Sequence, residues 1–413
     1  MITKLVRNAK IYTAEGNSPA GGKEQGSVHF FPDGAMIIKN GLIEEAGPRE
    51  KVEKKALAME FDEEIDCGGR CVIPGFVDPH THMCFARRRE EEFSLRLEGT
   101  PYLEILKRGG GILSSVRAVK EASDDDLFEN TLSLALSALS MGTTTVEIKS
   151  GYGLDTETEL RMLSVIRRVG LESPLDVVPT FMGAHAVAEE YRGRADDFVD
   201  LIVREMLPAA KRQGIARFCD IFCEEGVFSI SQSEKILTEA GRLGFGLKVH
   251  ADEVHDTGGA ALAARVGAVS AEHLLAAGDE GLSAMAERAV TAILLPATAY
   301  SLRKPYARAR AMIGLGVPVA LATDCNPGSS FTESMPFVFG LGVLAMGLTV
   351  SEALVAATKN SACAIGAGDR CGTLEKGKQA DFLVLDGDSP AIIAYHAGVS
   401  PVDEVYKKGE RVA

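Results

Sequence analysis

Between residues 72 and 323 of this 413-residue chain, eight short apolar runs recur, and most gaps between them carry a helical pattern. The runs are Val72–Val77, Thr143–Ile148, Leu175–Thr180, Phe218–Phe222, Gly246–Val249, Ala268–Glu272, Val290–Leu295 and Pro318–Thr323. Runs this short and continuous suit parallel strands buried on both faces, and successive parallel strands need a crossover, usually a helix. Asp124 to Leu139 reads as one such helix. Ser123 stands as its N-cap, and Leu127, Phe128, Leu132, Leu134, Ala135, Ala138 and Leu139 supply an apolar face. Thr156 to Val169 and Ser231 to Leu243 read the same way. Eight strands alternating with helices over about 300 residues predict an α/β fold of the (β/α)8 TIM-barrel type, with a doubly wound sheet as the runner-up.

The two ends have a different texture. Leu5 to Thr13 roughly alternates apolar and polar residues, and Asn40-Gly41 inside Ala35–Ala46 is a strong hairpin signal. Near the C-terminus, Asp381–Leu385 is a short apolar strand, and Val402–Val412 reads as a hairpin about Lys408-Gly409. Two β-rich ends around an α/β middle predict one small β-sandwich domain built from residues 1–72 and 372–413, beside a catalytic barrel of residues 73–371.

Charge and composition narrow the function. The formal net charge is −14, from 44 basic and 58 acidic residues, with no basic block or stripe, so a nucleic-acid partner is not expected. An apolar fraction of 46% without polar tracts excludes intrinsic disorder. Lys4 and Arg7 are followed by no apolar segment of the kind a secretory signal needs, which favours a cytoplasmic protein. The longest uncharged stretch, Ser334 to Ser351, is broken by Pro336 and three interior glycines, and so reads as a buried helix with its entry loop; no membrane partner is expected. Cys67 and Cys71, like Cys219 and Cys223, lack the partner loop of a zinc knuckle and read as buried thiols.

In barrels, chemistry gathers at the C-terminal ends of the strands. Six of the eight histidines lie in the middle region, and five fall at or just past a strand end: His80, His82, His185, His250 and His273. Asp324 ends the last run. In the extended segment His80-Thr81-His82, residues two apart point the same way, so two imidazoles face one point. With His250 and Asp324 they form a nitrogen and oxygen set suited to one divalent ion, with room for a water. Taken singly, His185 and His273 read equally well as core histidines held by backbone carbonyls. His255 reads as an exposed loop residue, Asp252 as a supporting partner or helix cap, and Glu253 as a candidate for proton transfer. Gly109-Gly110-Gly111 lacks the Gly-Lys-Ser/Thr of a phosphate loop, and Gly151-Tyr152-Gly153 completes no dinucleotide fingerprint. Cys84 and Cys325 read as small thiols near the site, and no serine nucleophile elbow occurs.

These segments resemble a known family. Pro74-Gly75-Phe76-Val77-Asp78-Pro79-His80-Thr81-His82, with a histidine on each of the fifth and sixth strands and an aspartate on the eighth, is similar to the amidohydrolase superfamily. Further segments resemble its imidazolonepropionase branch. They are Arg89 with Glu92-Phe93, Tyr102, Glu147 to Asp155, Phe181 to Ala186, His250 to Glu253, and Ala322 to Ser329. The resemblance spans nearly the whole chain. It implies hydrolysis of 4-imidazolone-5-propanoate, a small-molecule substrate, to N-formimidoyl-L-glutamate in histidine degradation, and a homodimer. It implies one divalent metal per subunit, zinc or iron, held by His80, His82, His250 and Asp324. It implies Arg89, Tyr102, Tyr152, His185, Glu253, Asn326, Gly328 and Ser329 as substrate contacts, and Glu253, His273 and Asp324 as the groups that move protons. Which of the three is acid and which is base stays open. Arg87 and Arg88 precede Arg89 and make a basic triplet there. Some superfamily members bridge two metals through a modified lysine; Lys149 ends the second strand, where that role is not expected. The rival readings are a cyclic deaminase or other cyclic amidohydrolase with the same ligands, and a non-catalytic relative of the fold, which would be expected to have lost ligands.

Overall fold

The computed structural model describes residues 2–100, 104 and 110–413. The eight apolar runs of the middle region form one parallel sheet whose strands follow each other in chain order. They are β6 (Phe76–Asp78), β7 (Thr143–Lys149), β8 (Asp176–Ala184), β9 (Phe218–Cys223), β10 (Gly246–Ala251), β11 (Ser270–His273), β12 (Thr291–Leu294) and β13 (Val319–Leu321). Such a sheet, rolled up with its helices outside, is a (β/α)8 barrel. Three crossover helices start where their caps place them. Ser123 Oγ accepts the Asp126 N–H at the head of Asp124–Ser140, and Asp155 caps Thr156–Glu172. Ser229 and Gln232 make a reciprocal capping box at the head of Ile230–Arg242.

The barrel closes between β13 and β6 through side-chain bonds at the strand ends and backbone bonds just past them. The Thr323 hydroxyl donates to Asp78 Oδ2 at 2.5 Å, and the Asp324 N–H donates to the His80 carbonyl at 3.1 Å. Lower in the seam, the Gln25 amide pairs with the free edge of β13. Its Nε2 donates to the Val319 carbonyl and its Oε1 accepts the Val319 N–H, each at 2.9 Å. Asn360 Nδ2 donates to the same carbonyl at 2.8 Å. One fully buried amide therefore does what a neighbouring strand would do. Gln25→Ala leaves the buried Val319 N–H without an acceptor. The expected loss is about 1–3 kcal/mol of stability, measured by urea unfolding of the full chain.

The ends of the chain form a second, mixed sheet. Its strands are β1 (Thr3–Thr13), β2 (His29–Lys39), β3 (Leu42–Pro48), β4 (Glu63–Asp66), β5 (Cys71–Pro74), β14 (Phe382–Leu385), β15 (Val402–Lys407) and β16 (Glu410–Arg411). They follow the path β16-β15-β14-β5-β1-β2-β3, with β4 added on β1. The sheet curls, because the Ala380 N–H donates to the Gly41 carbonyl at 2.9 Å and the Ile43 N–H to the Lys378 carbonyl at 2.8 Å. Val6, Ile11, Met36, Ile38, Phe382 and Tyr406 fill the inside. Both expected hairpin turns have two residues at positive φ: Asn40 (51°) with Gly41 (79°), and Lys408 (50°) with Gly409 (76°). That is the type I′ pattern.

One expected strand is two. The run Val72–Val77 predicts a single barrel strand, but its first half is β5 of the small sheet and its second half is β6 of the barrel. Gly75 makes the transfer. Its N–H donates to the Asp381 carbonyl at 3.0 Å, and a Cβ there would overlap the Thr144 side chain. Apolar continuity reports burial, not which sheet does the burying. The uncharged stretch holds a helix, Met335–Leu344, capped by Ser334 with Pro336 in its first turn; Met335, Val338 and Phe339 are buried, while Leu344 at its end is exposed. No helix among the described residues is long and apolar enough to cross a membrane. All eight cysteines are unpaired, and seven are buried.

Candidate active site

The strand ends bring the expected histidines together. His80 and His82 follow β6, His250 lies near the end of β10 and His273 ends β11. The His80 ring centre lies 4.5 Å from that of His250, 5.2 Å from His82 and 5.7 Å from His273. All four rings are buried. Among the described residues, His80 has no hydrogen-bond partner on either ring nitrogen, and His82 Nε2 has one hydrogen bond, to His250 Nε2, at 3.2 Å. Buried polar nitrogens without partners are rare, and bare nitrogens turned on one another need something between them. Burial, with the Lys149 charge and the neighbouring rings, holds His80 far below the ordinary imidazole range. Burial, with His185 and His250, does the same to His82. Both rings are thus neutral donors. The nearest ring nitrogens of His80, His82 and His250 lie within 4.8 Å of one another, a set that could hold a divalent cation.

Asp324 supplies the nearby carboxylate. Its Oδ1 lies 3.5 Å from His80 Nε2 and 3.8 Å from His82 Nε2, and its Oδ2 accepts the Thr298 hydroxyl at 2.6 Å. Burial raises its pKa to about 6. Asp220 and Glu272 also approach His80 and His250. Both, however, already face lysines: Lys149 Nζ is 2.8 Å from Asp220 Oδ2, and Lys248 Nζ is 3.2 Å from Glu272 Oε1. Asp220 Oδ1 meets the far nitrogen of His250, Nδ1, at 3.1 Å. These carboxylates form a charged floor under the histidines, whereas Asp324 lies beside them. Lys149 lies between Glu147 and Asp220, at 2.7 and 2.8 Å, as an ion-paired ammonium.

Glu253 and His273 stand at the edge of this cluster, with Glu253 Oε2 3.7 Å from His273 Nε2. Burial and the Asp324 charge raise Glu253 to about 7, while burial and His250 keep His273 well below the imidazole range. A carboxyl that titrates near neutrality suits proton transfer. Four residues at or just past these strand ends have positive φ without being glycine: Asp252 (50°), His273 (69°), Leu274 (58°) and Asp324 (53°). Such backbone costs about 1–3 kcal/mol each and clusters at functional sites.

A second group lines the approach. His185 stacks on His82 with ring centres 4.8 Å apart, and its Nδ1 lies 3.0 Å from the Gly151 carbonyl. Burial drives its pKa to about 3. Tyr152, also buried, lies 5.2 Å from His185, and burial raises its phenol. Arg89 is packed against Gly328, where any Cβ would overlap the guanidinium. Glu92 is its 3.7 Å carboxylate neighbour. Gly328 therefore stands beside Arg89, and Ser329 follows it in the same loop. The Asn326 side chain is used within its own loop: Oδ1 accepts the N–H groups of Gly328 and Ser329, and Nδ2 donates to the Asp324 carbonyl. Tyr102 and Gly109 lie outside the described residues. Asp252 caps the helix Gly259–Val266 through the Gly259 and Ala260 N–H groups, and the half-exposed His255 meets Glu224 at 3.0 Å.

Sequence reading missed Asp220, Glu159, Thr298 and the Lys248–Glu272 pair. Asp220 had a signal, a charge in the middle of the apolar run Phe218–Phe222, and Glu272 closes such a run. Glu159 had none. It lies fully buried in a crossover helix and accepts the N–H groups of Gly151, Gly153 and Leu154, which sets the turn that carries Tyr152.

Comparison with known proteins gives the fold its family. A model of the amidohydrolase family matches residues 71–412, and the chain belongs to that family. Among solved structures, guanine deaminase from E. coli superposes with a TM-score of 0.73 at 15% identity, covering 100% of this chain and 99% of the other. A mutant atrazine chlorohydrolase from Arthrobacter aurescens, complexed with zinc and atraton, gives 0.74 at 18% identity, covering 99% and 94%. At such identity these structures speak for the fold alone. Curated relatives are much nearer. The imidazolonepropionase of Syntrophobacter fumaroxidans is 62% identical over 99% of this chain and 96% of its own. That of Desulfotalea psychrophila is 60% identical over the whole of both chains. Within the family, the chain stands with the imidazolonepropionases.

Proposed function

We propose that the protein hydrolyses 4-imidazolone-5-propanoate to N-formimidoyl-L-glutamate, the ring-opening step of histidine degradation. Full-length identity of 60–62% to imidazolonepropionases carries this reading, and the site geometry supports it. His80, His82, His250 and Asp324 would hold one divalent ion, zinc or iron, since the three nitrogens and one oxygen suit either. When bound, such an ion lowers the pKa of water toward neutrality and polarises a carbonyl.

The remaining work falls to the chain. Water oxygen bonds to the ring carbonyl carbon, the carbon–nitrogen bond breaks, and the departing ring nitrogen needs one proton. Glu253, with its pKa about 7, takes the water proton at Oε2 and hands it to that nitrogen. Neutral His273 beside it donates to the developing oxyanion. Arg89 pairs with the propionate, and Tyr152 and His185 wall the ring. A cyclic deaminase would need neither Arg89 nor the turn at Tyr152, and it would release ammonia. We also place the protein in the cytoplasm as a homodimer; light scattering on the purified protein tests the second point.

Arg89→Ala tests the substrate. A charge-assisted pair is worth about 1.5–3 kcal/mol, so kcat/KM on imidazolone propionate should fall at least ~10-fold. A ring analogue without the propionate should lose little. Equal losses on both would make Arg89 a support of its loop. No loss on either would move the carboxylate anchor to Arg87 or Arg88.

A further inference from the structure

Beneath the histidines lies a buried cluster of charge that the proposed chemistry does not use. Glu147, Lys149, Asp220, Lys248 and Glu272 come from four barrel strands, β7, β9, β10 and β11, and every one is fully buried. Burying charge is expensive unless each group is paired and hydrogen-bonded. Asp220 meets that condition in a directional way. Its Oδ2 is 2.8 Å from Lys149 Nζ. Its Oδ1 accepts the Ile221 N–H at 2.7 Å and lies 3.1 Å from His250 Nδ1. One oxygen is thus turned to the ammonium and the other to the imidazole.

We propose that Asp220, clamped by Lys149, is a positioning residue that keeps the proton of His250 on Nδ1 and so presents the bare Nε2 to the metal. The argument is geometric. Nδ1 faces a carboxylate that can only accept, so the proton belongs on Nδ1. Nε2 points the other way, at His82 Nε2, inside the donor cluster. A carboxylate behind a metal-bound histidine fixes both the tautomer and the ring plane, and losing it typically costs 10–100-fold in metal affinity. Lys149 makes the arrangement sensitive to charge. In Asp220→Asn the amide has one acceptor and one donor. If its oxygen faces His250, its NH2 faces an ammonium, which cannot accept. If it flips, its NH2 faces His250 Nδ1 and drives the proton to Nε2, the nitrogen meant for the metal.

The inference rests on the metal reading above, and its test separates the two. Zinc is titrated into metal-stripped wild type and Asp220→Asn against a chromophoric chelator. The ring protons of His250 are located by 15N NMR in the zinc-loaded wild type. The expected result is one tight zinc in wild type, an Nδ1–H on His250, and binding weakened 10–100-fold in the variant. Zinc affinity within twofold of wild type in Asp220→Asn overturns the proposal. So does zinc-loaded wild type with the proton on Nε2, which would place zinc on the Asp220 side of the ring. Should the variant fail to fold, the wild-type NMR result decides alone. Wild type that binds no zinc or iron overturns the metal reading, and the inference with it.

Discussion

A His80→Ala/His82→Ala double variant is expected to hold no divalent metal and to show no measurable ring opening, yet to fold. The two rings supply two of the three nitrogens that face one another. An ion left with His250 and Asp324 alone has half its donors. The fold should survive because the two rings add little to its hydrogen bonding: His82 Nε2 meets His250 Nε2, itself part of the same donor cluster. Among the described residues, both nitrogens of His80 and Nδ1 of His82 lack hydrogen-bond partners. Deleting them removes buried polar atoms that nothing satisfies, which offsets part of the cavity cost. Elemental analysis, circular dichroism and an absorbance assay on fresh imidazolone propionate read the three outcomes. A folded double variant with full metal content would refute the metal centre outright.

Glu253→Gln is expected to lower kcat by roughly 10²–10⁴ while keeping the metal, the loss typical when a positioned proton-transfer group is removed. Glutamine keeps the volume and loses the exchangeable proton. Glu253 stands outside the cluster of ring nitrogens, 3.7 Å from His273, so the ion has no reason to leave. KM should change little, because the propionate is held elsewhere. A fall in kcat below about threefold would assign the proton to His273 or Asp324.

The barrel was legible because its signal is repeated. Eight runs separated by helical stretches over-determine a parallel sheet even when one end is misplaced. The error at Val72–Val77 shows the limit: Pro74-Gly75 sits inside that run, and hydrophobicity alone reads across it. In the site, His80 and His82 were legible from spacing, and His250, His273 and Asp324 from their places at strand ends. Asp220 was not, because a lone aspartate in an apolar strand has no partner in sequence. Lys149 lies 71 positions before it and His250 30 positions after. The use of Asn326 within its own loop is equally invisible, since substrate contact and turn formation ask for the same amide.

The small sheet also sets a clock. β5 pairs on one side with β1, made shortly before it, and on the other with β14, which lies beyond the whole barrel. At about 5–20 residues per second, the roughly 300 intervening residues take on the order of 15–60 s to leave the ribosome. Through that interval the apolar edge of β5, Cys71 to Pro74, waits without its second neighbour. The same four residues lead directly through Gly75 into β6 and on to His80 and His82. A strand synthesised after the whole barrel therefore completes the base from which the first two site histidines are held, and a chain halted before Phe382 would carry those histidines on an unfinished strand.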